Sequence, residues 1–329
     1  MDLSKRSEQL IGKLYQGRKH VELTIGTLKD GRTEVCHWGP DREEKNDEVL
    51  IYPAGSICKL FTTAMLAKYV AEGKLDLDAP LSRYIQPLPD QYYPNLRKLA
   101  THSSGYSTQP YNTLYALKML IRMNKPDGIF RVNPYHGAVN EADMRRLLSE
   151  THLKDRTYKF QYSNFGFGIL GWIVGAVSGQ GYWDGIQAYI LEELGLKNTS
   201  LGNTGMLGYD KKDQPCHCWP WDKEDVVAAA GALLSSVEDL LKFAQLQMDG
   251  SKPYLSLCHQ EHGAGEKTFT SGLAWRLEKG TNISWHDGAA GAYSAFIGLD
   301  REKKTAVSIA VNYGLLDTKE LAFSILNEL

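Results

Sequence analysis

Three short stretches of this chain carry residue types that together could do acyl-transfer chemistry. The first is Ser56-Ile57-Cys58-Lys59. If a helix opens at Ser56, Lys59 falls three positions on, on the same face, where its amine can take the proton of the hydroxyl. The partial positive charge at the helix N-terminus favours developing negative charge there. The same four residues also fit a capping serine followed by a solvated lysine. The second stretch is Tyr162-Ser163-Asn164. A tyrosine held beside an ammonium can have a lowered pKa and pass protons both ways, and an asparagine amide can donate to and accept from a substrate amide. The plainer reading is a turn whose asparagine caps the next helix. The third is Trp285-His286-Asp287-Gly288-Ala289. Glycine lets a ligand approach the backbone closely there, and the Ala289 N–H could join that of Ser56 as a pair of oxyanion donors. His286 could equally be an ordinary half-buried histidine.

The elements that would hold these residues follow from pattern. Residues 21–27 and 33–38 are β-rich runs around Lys29-Asp30-Gly31, the composition of a hairpin. From Ser56, apolar residues at Ile57, Leu60, Phe61, Ala64, Met65 and Val70 make a helical stripe that Gly73 can end. The middle of the chain reads as helices over 114–123, 141–150, 165–178, 182–194 and 237–248. Strands are expected at 272–276, 295–299 and 306–312, with a closing helix over 318–329, and residues 1–20 suit an amphipathic helix. The expectation is an α/β (α+β) fold in one domain, 1–329. An antiparallel sheet from both chain ends, flanked by terminal helices, forms one lobe (1–58 and 264–329), and a mostly helical lobe (59–263) is inserted. A cleft between such lobes is the usual place for an active site.

Taken together, the motifs resemble those of the serine β-lactamase and penicillin-binding-protein superfamily, in particular its class C β-lactamase-like branch of esterases, D-aminopeptidases and carboxypeptidases. Three further segments carry the resemblance: Leu99-Ala100-Thr101-His102-Ser103-Ser104-Gly105, Leu194-Gly195-Leu196-Lys197-Asn198-Thr199-Ser200 and Gly231-Ala232-Leu233-Leu234-Ser235-Ser236. With the first three they make six matches in the right order over nearly the whole chain. The resemblance implies that Ser56 is the acylated nucleophile, Lys59 its proton partner, and Tyr162 a sharer of proton transfer that protonates the leaving group. Asn164 would hold the substrate's amide side chain. His286 stands where many β-lactamases carry the lysine of Lys-Thr-Gly, a replacement common among the branch's esterases and peptidases. Asp287 departs from the Thr, Ser or Gly that usually contacts a substrate carboxylate, and an aspartate would repel that group. Efficient β-lactam hydrolysis and a preference for a free C-terminal carboxylate are therefore not expected. Gln109 matches a substrate-contacting glutamine across a one-residue gap.

The implied function is a serine hydrolase opening an amide or ester through acyl-Ser56, with no cofactor and with a small molecule, short peptide or ester as substrate. The same acyl-enzyme could instead hand its acyl group to an alcohol or amine. A non-catalytic ligand-binding homologue is the alternative from another class; retention of Ser56, Lys59 and Tyr162 argues against it.

Composition excludes several other classes. The 329 residues hold 37 Lys+Arg against 39 Asp+Glu, a net charge of −2, so no field draws in nucleic acid or an anionic membrane surface. No run of about 18 apolar residues could span a membrane, and no secretion signal is legible, so a cytoplasmic location is expected. The 5 cysteines are odd in number and scattered, which suits reduced thiols. Cys216-His217-Cys218 lacks the second ligand pair of a structural zinc site. His259-Gln260-Glu261-His262 has the wrong spacing for a helical zinc hydrolase, and no Gly-x-Ser-x-Gly, Walker or Gly-x-Gly-x-x-Gly motif occurs.

Overall fold

The computed structural model describes residues 3–45, 48–107, 121 and 128–329. Gln109 and, apart from Ile121, the helix expected over 114–123 lie outside them. Among the described residues twelve strands follow in chain order. They are β1 (Leu23–Lys29), β2 (Arg32–Trp38), β3 (Tyr52–Gly55), β4 (Thr199–Leu201), β5 (Gly208–Tyr209), β6 (Pro215–Cys216), β7 (Leu233–Ser235), β8 (Phe269–Ser271), β9 (Arg276–Glu278), β10 (Ile283–Ala290), β11 (Tyr293–Asp300) and β12 (Thr305–Val311).

Seven of them form one antiparallel sheet in the order β2-β1-β12-β11-β10-β9-β8, so the first two strands pair with the last ones, Ile25 opposite Ile309. The β1–β2 hairpin turns at Asp30 and Gly31, both at positive φ, as the two-residue turn requires. On one face lie the terminal helices Lys5–Tyr15 and Lys319–Glu328. Leu10, Ile11 and Leu14 share a core with Leu321, Ile325, Trp285 and Phe296. The opposite face carries the Cys58–Ala71 and Val237–Leu246 helices, whose Phe61 and Phe243 rings stack 4.1 Å apart. A second, three-stranded sheet, β3-β7-β4, was not foreseen; its strands are too short to show a period.

The helix Asn164–Ser178 is apolar almost all round and buried accordingly. Its Gly171 admits the Val226–Ala230 turn so closely that a Cβ there would stand 2.1 Å from the Ala229 methyl. That contact fixes the Ala230 carbonyl, which the site uses. The 182–194 helix is helical over Gly181–Ala188 and finishes in a π-type turn, Tyr189–Glu193.

The strand expected over 272–276 is instead a turn between β8 and β9, with Ala274 at φ 62°. Leu273, Ala274 and Trp275 are all buried, and the Leu273 carbonyl accepts the Thr63 hydroxyl at 3.1 Å.

Candidate active site

Ser56 does not cap its helix. The Cys58–Ala71 helix starts two residues later with Ile57 at the N-cap position and no side-chain cap, the chain entering through a tight turn in which Lys59 N–H reaches the Ser56 carbonyl. That turn still puts Lys59 over the serine. Its ammonium donates to Ser56 Oγ at 3.0 Å and to the Ala230 carbonyl at 2.7 Å. The lysine is fully buried rather than solvated. Its Nζ lies 4.8 Å from the centre of the Tyr162 ring and 5.7 Å from that of Phe167. Burial penalises the charged form and pushes the amine down to about 7.

Tyr162 enters from the segment before Asn164–Ser178 and is hydrogen-bonded to the Ser56 side chain. The lowered phenol pKa expected beside an ammonium is not found. Burial raises it, against the smaller pull of Ser56 and Arg276, so the group is a neutral phenol. Nor does Asn164 cap the helix; Ser163 does, accepting the Gly166 N–H at 2.9 Å. This frees the Asn164 amide. Its Nδ2 donates to the Tyr135 hydroxyl at 2.6 Å, while its buried Oδ1 has no partner among the described residues.

Two neutral imidazoles flank Tyr162. The His102 ring lies 4.4 Å away; its Nδ1 accepts the Ser163 N–H at 3.0 Å, so the proton sits on Nε2, and burial depresses its pKa strongly. The His286 ring, 6.4 Å away, donates from Nδ1 to the Asp287 carbonyl at 2.6 Å, and burial followed by the Arg276 charge lowers its pKa. His286 is thus buried, not half-buried.

The backbone of β10 meets the Ser56 turn closely. A Cβ on Gly288 would stand 2.0 Å from the Ala54 carbonyl, so only glycine lets the end of β3 lie against it. Ser56 and Ala289 consequently line one cavity of about 110 Å³ with Tyr135, Asn164, Trp219 and Trp221. The Tyr135 and Trp221 rings stand parallel across it, 6.2 Å apart. Asp287 is half exposed and paired with Arg276 Nη1. Burial, the largest single influence, would raise its carboxyl pKa; the Arg276 charge, the neighbouring His286 and hydrogen bonds from Arg276 and the backbone together outweigh it and hold the group low.

The structure therefore brings together Ser56, Lys59, Tyr162, Asn164, His286, Asp287, Gly288 and Ala289. Arg276, Tyr135 and His102 join them without having been singled out. Arg276 is the first residue of β9, a strand too short to show a period, and Tyr135 lies in an irregular segment without periodicity. Only His102 left a trace, inside the Thr101-His102-Ser103-Ser104-Gly105 run. Among the described residues no three His, Cys, Asp or Glu side chains cluster as metal ligands, and no helix is long and apolar enough to cross a membrane.

The mixed helical and antiparallel architecture has the fold of class C β-lactamases. The family model described as Beta-lactamase matches residues 8–323, and the chain belongs to that family. Among curated relatives, a "Beta-lactamase" of Providencia stuartii is 23% identical over 259 residues, covering 74% of this chain and 60% of its own. "Protein flp" of Staphylococcus aureus (strain MW2) is 22% identical over 296 residues, covering 83% and 55%. The chain thus spans less than two thirds of either relative's length. Among solved structures, a class C β-lactamase from Rhodobacter sphaeroides superposes with a TM-score of 0.78 at 18% identity, covering 99% of both chains. The octameric penicillin-binding protein homologue from Pyrococcus abyssi gives 0.73 at 23% identity, covering 98% of this chain and 76% of that one.

Proposed function

We propose that this protein is a serine hydrolase that opens an ester or amide through an acyl-Ser56 intermediate. The observation that carries the reading is the buried Lys59 amine, 3.0 Å from Ser56 Oγ and depressed to about 7, because an amine half neutral near pH 7 is a base at the operating pH. With the substrate carbonyl between the Ser56 and Ala289 N–H groups, Lys59 takes the Ser56 proton as Oγ attacks, and the two donors hold the oxyanion. Donors of this kind contribute about 3 kcal/mol each elsewhere. Tyr162, a neutral phenol, then gives its proton to the departing oxygen or nitrogen and recovers one from the Lys59 ammonium. Water resolves the acyl-enzyme by the same transfers in reverse, releasing the acid and restoring Ser56.

The unpartnered Asn164 Oδ1 supports acyl donors with an N–H beside the scissile bond, and the cavity's size supports a small acyl group between Tyr135 and Trp221. Gly288 serves the close approach of the two backbones, and neutral His286 lines the leaving-group side. The reading rests on Ser56 as nucleophile, which intact mass after fluorophosphonate treatment tests. Wild type is expected to gain one adduct and Ser56→Ala none; equal labelling would remove the assignment.

A further inference from the structure

A second cation, Arg276, stands near Tyr162 and His286, already engaged by Asp287. It stands at the start of β9 directly opposite Trp285 of β10, so the two side chains share a face of the sheet. Its guanidinium lies 4.7 Å from the Trp285 ring centre and 5.5 Å from that of Phe269, and its side chain is only 18% exposed. Packing therefore holds it in place. With Tyr162 and His286 it lines a small recess, and Tyr162 is in turn hydrogen-bonded to Ser56. Asp287, two positions beyond Trp285 and on the same face, presents its carboxylate to Arg276 Nη1. The edge of β10 beyond this pair is open, because β9 pairs only with Ser284 and Trp285.

We propose that Asp287 is a built-in carboxylate that occupies Arg276 and thereby selects substrates carrying no negative charge on the leaving-group side of the scissile bond. The inference rests on the hydrolase reading above and names its substrate class. Tyr162, the leaving-group proton donor, shares the recess with Arg276, so a group departing from Ser56 passes this pair. With Asp287 present, an incoming carboxylate meets a guanidinium already bonded through Nη1 and a like charge beside it, a juxtaposition that suppresses binding. An uncharged leaving group meets no such opposition. Neutral His286 adds no compensating cation. Removing the Asp287 charge leaves a preorganised guanidinium free for a bidentate carboxylate.

Two acetate esters differing only in that charge test the idea: 3-acetoxybenzoate and its methyl ester. Wild type is expected to favour the methyl ester by at least tenfold in kcat/KM. In Asp287→Asn the carboxylate-to-methyl-ester ratio should rise at least tenfold, and adding Arg276→Gln should return it to the wild-type value. A ratio in Asp287→Asn within twofold of wild type would overturn the proposal. Calorimetric binding of 3-hydroxybenzoate in the Ser56→Ala background judges it without turnover. There Asp287→Asn should tighten binding at least tenfold, and unchanged affinity would overturn it. Tightened binding with no ester cleaved by wild type would instead leave this inference standing and remove the hydrolase reading.

Discussion

Lys59→Met removes the one side chain whose burial conflicts most with its charge, and the consequence is measurable without any substrate. In the folded protein the amine has been brought from 10.5 to about 7. At about 1.4 kcal/mol for each tenfold change in the proton equilibrium, this depression corresponds to a ceiling of about 5 kcal/mol held against folding below pH 7. Between about pH 7 and 10.5 the unfolded chain binds a lysine proton that the folded one has shed, so wild-type stability rises with pH across that window. Methionine has no such proton. It does strand the Ala230 carbonyl, now bonded to Lys59 at 2.7 Å, at a cost of about 1–3 kcal/mol. The variant should therefore be about 2–4 kcal/mol more stable than wild type at pH 6. That advantage should shrink by about 1.4 kcal/mol per pH unit from pH 7 upwards. Urea unfolding of both proteins at pH 6, 7.5 and 9 reads this directly. A difference in stability that stays constant from pH 6 to 9 would mean the buried amine titrates like a free lysine, and the general-base argument would fall with it.

The same depressed amine sets a rate profile: kcat/KM for a neutral ester should climb with pH through about 7 and level off above, and a profile flat from pH 5.5 to 8.5 would contradict Lys59 as base. Tyr162→Phe keeps the ring packing on His102 and Lys59 while removing the hydroxyl, so it should fold with an unchanged melting temperature yet lose roughly 10²–10⁴-fold in turnover; wild-type rates would exclude the phenol from proton transfer. Gly288→Ala drives a methyl into the Ala54 carbonyl and parts the Ser56 and Ala289 backbones, for an expected loss of about 10²-fold or more in kcat with KM less affected; full activity would show that those two N–H groups do not share the oxyanion.

Local spacing made much of the site readable beforehand. Ser56 and Lys59 had to meet because three residues make one turn, whether of an α-helix or of the tighter entry turn found here. The 141–150 helix appears as Glu141–Glu150, with Asn140 as its cap. The 165–178 helix differs by one residue, because the cap falls on Ser163 and draws Asn164 inside. What pattern could not supply was anything set by tertiary approach. The apolar run Leu273-Ala274-Trp275 suits a strand, yet it is a turn buried against the Cys58–Ala71 helix, where Thr63 bonds the Leu273 carbonyl. Whether Lys59 was solvated or buried depended on Ala230, brought up by Gly171 across a helix more than a hundred residues away. The sign of the Tyr162 shift likewise turned on burial, which no neighbouring residue in the chain announces.

The pairing of β1 with β12 has a consequence for when this protein becomes competent. Two segments almost three hundred positions apart must find one another before the large sheet is complete, and loops of that length close slowly. The Cys58–Ala71 helix also rests on distant partners, Phe61 on Phe243 and Lys59 on the Ala230 carbonyl, whereas Ala289 lies on a strand that pairs with its chain neighbours β9 and β11. Base and oxyanion donors alike thus wait on distant segments, so reactivity is expected to arrive with the last long-range contacts, and a partly folded chain carries a harmless serine.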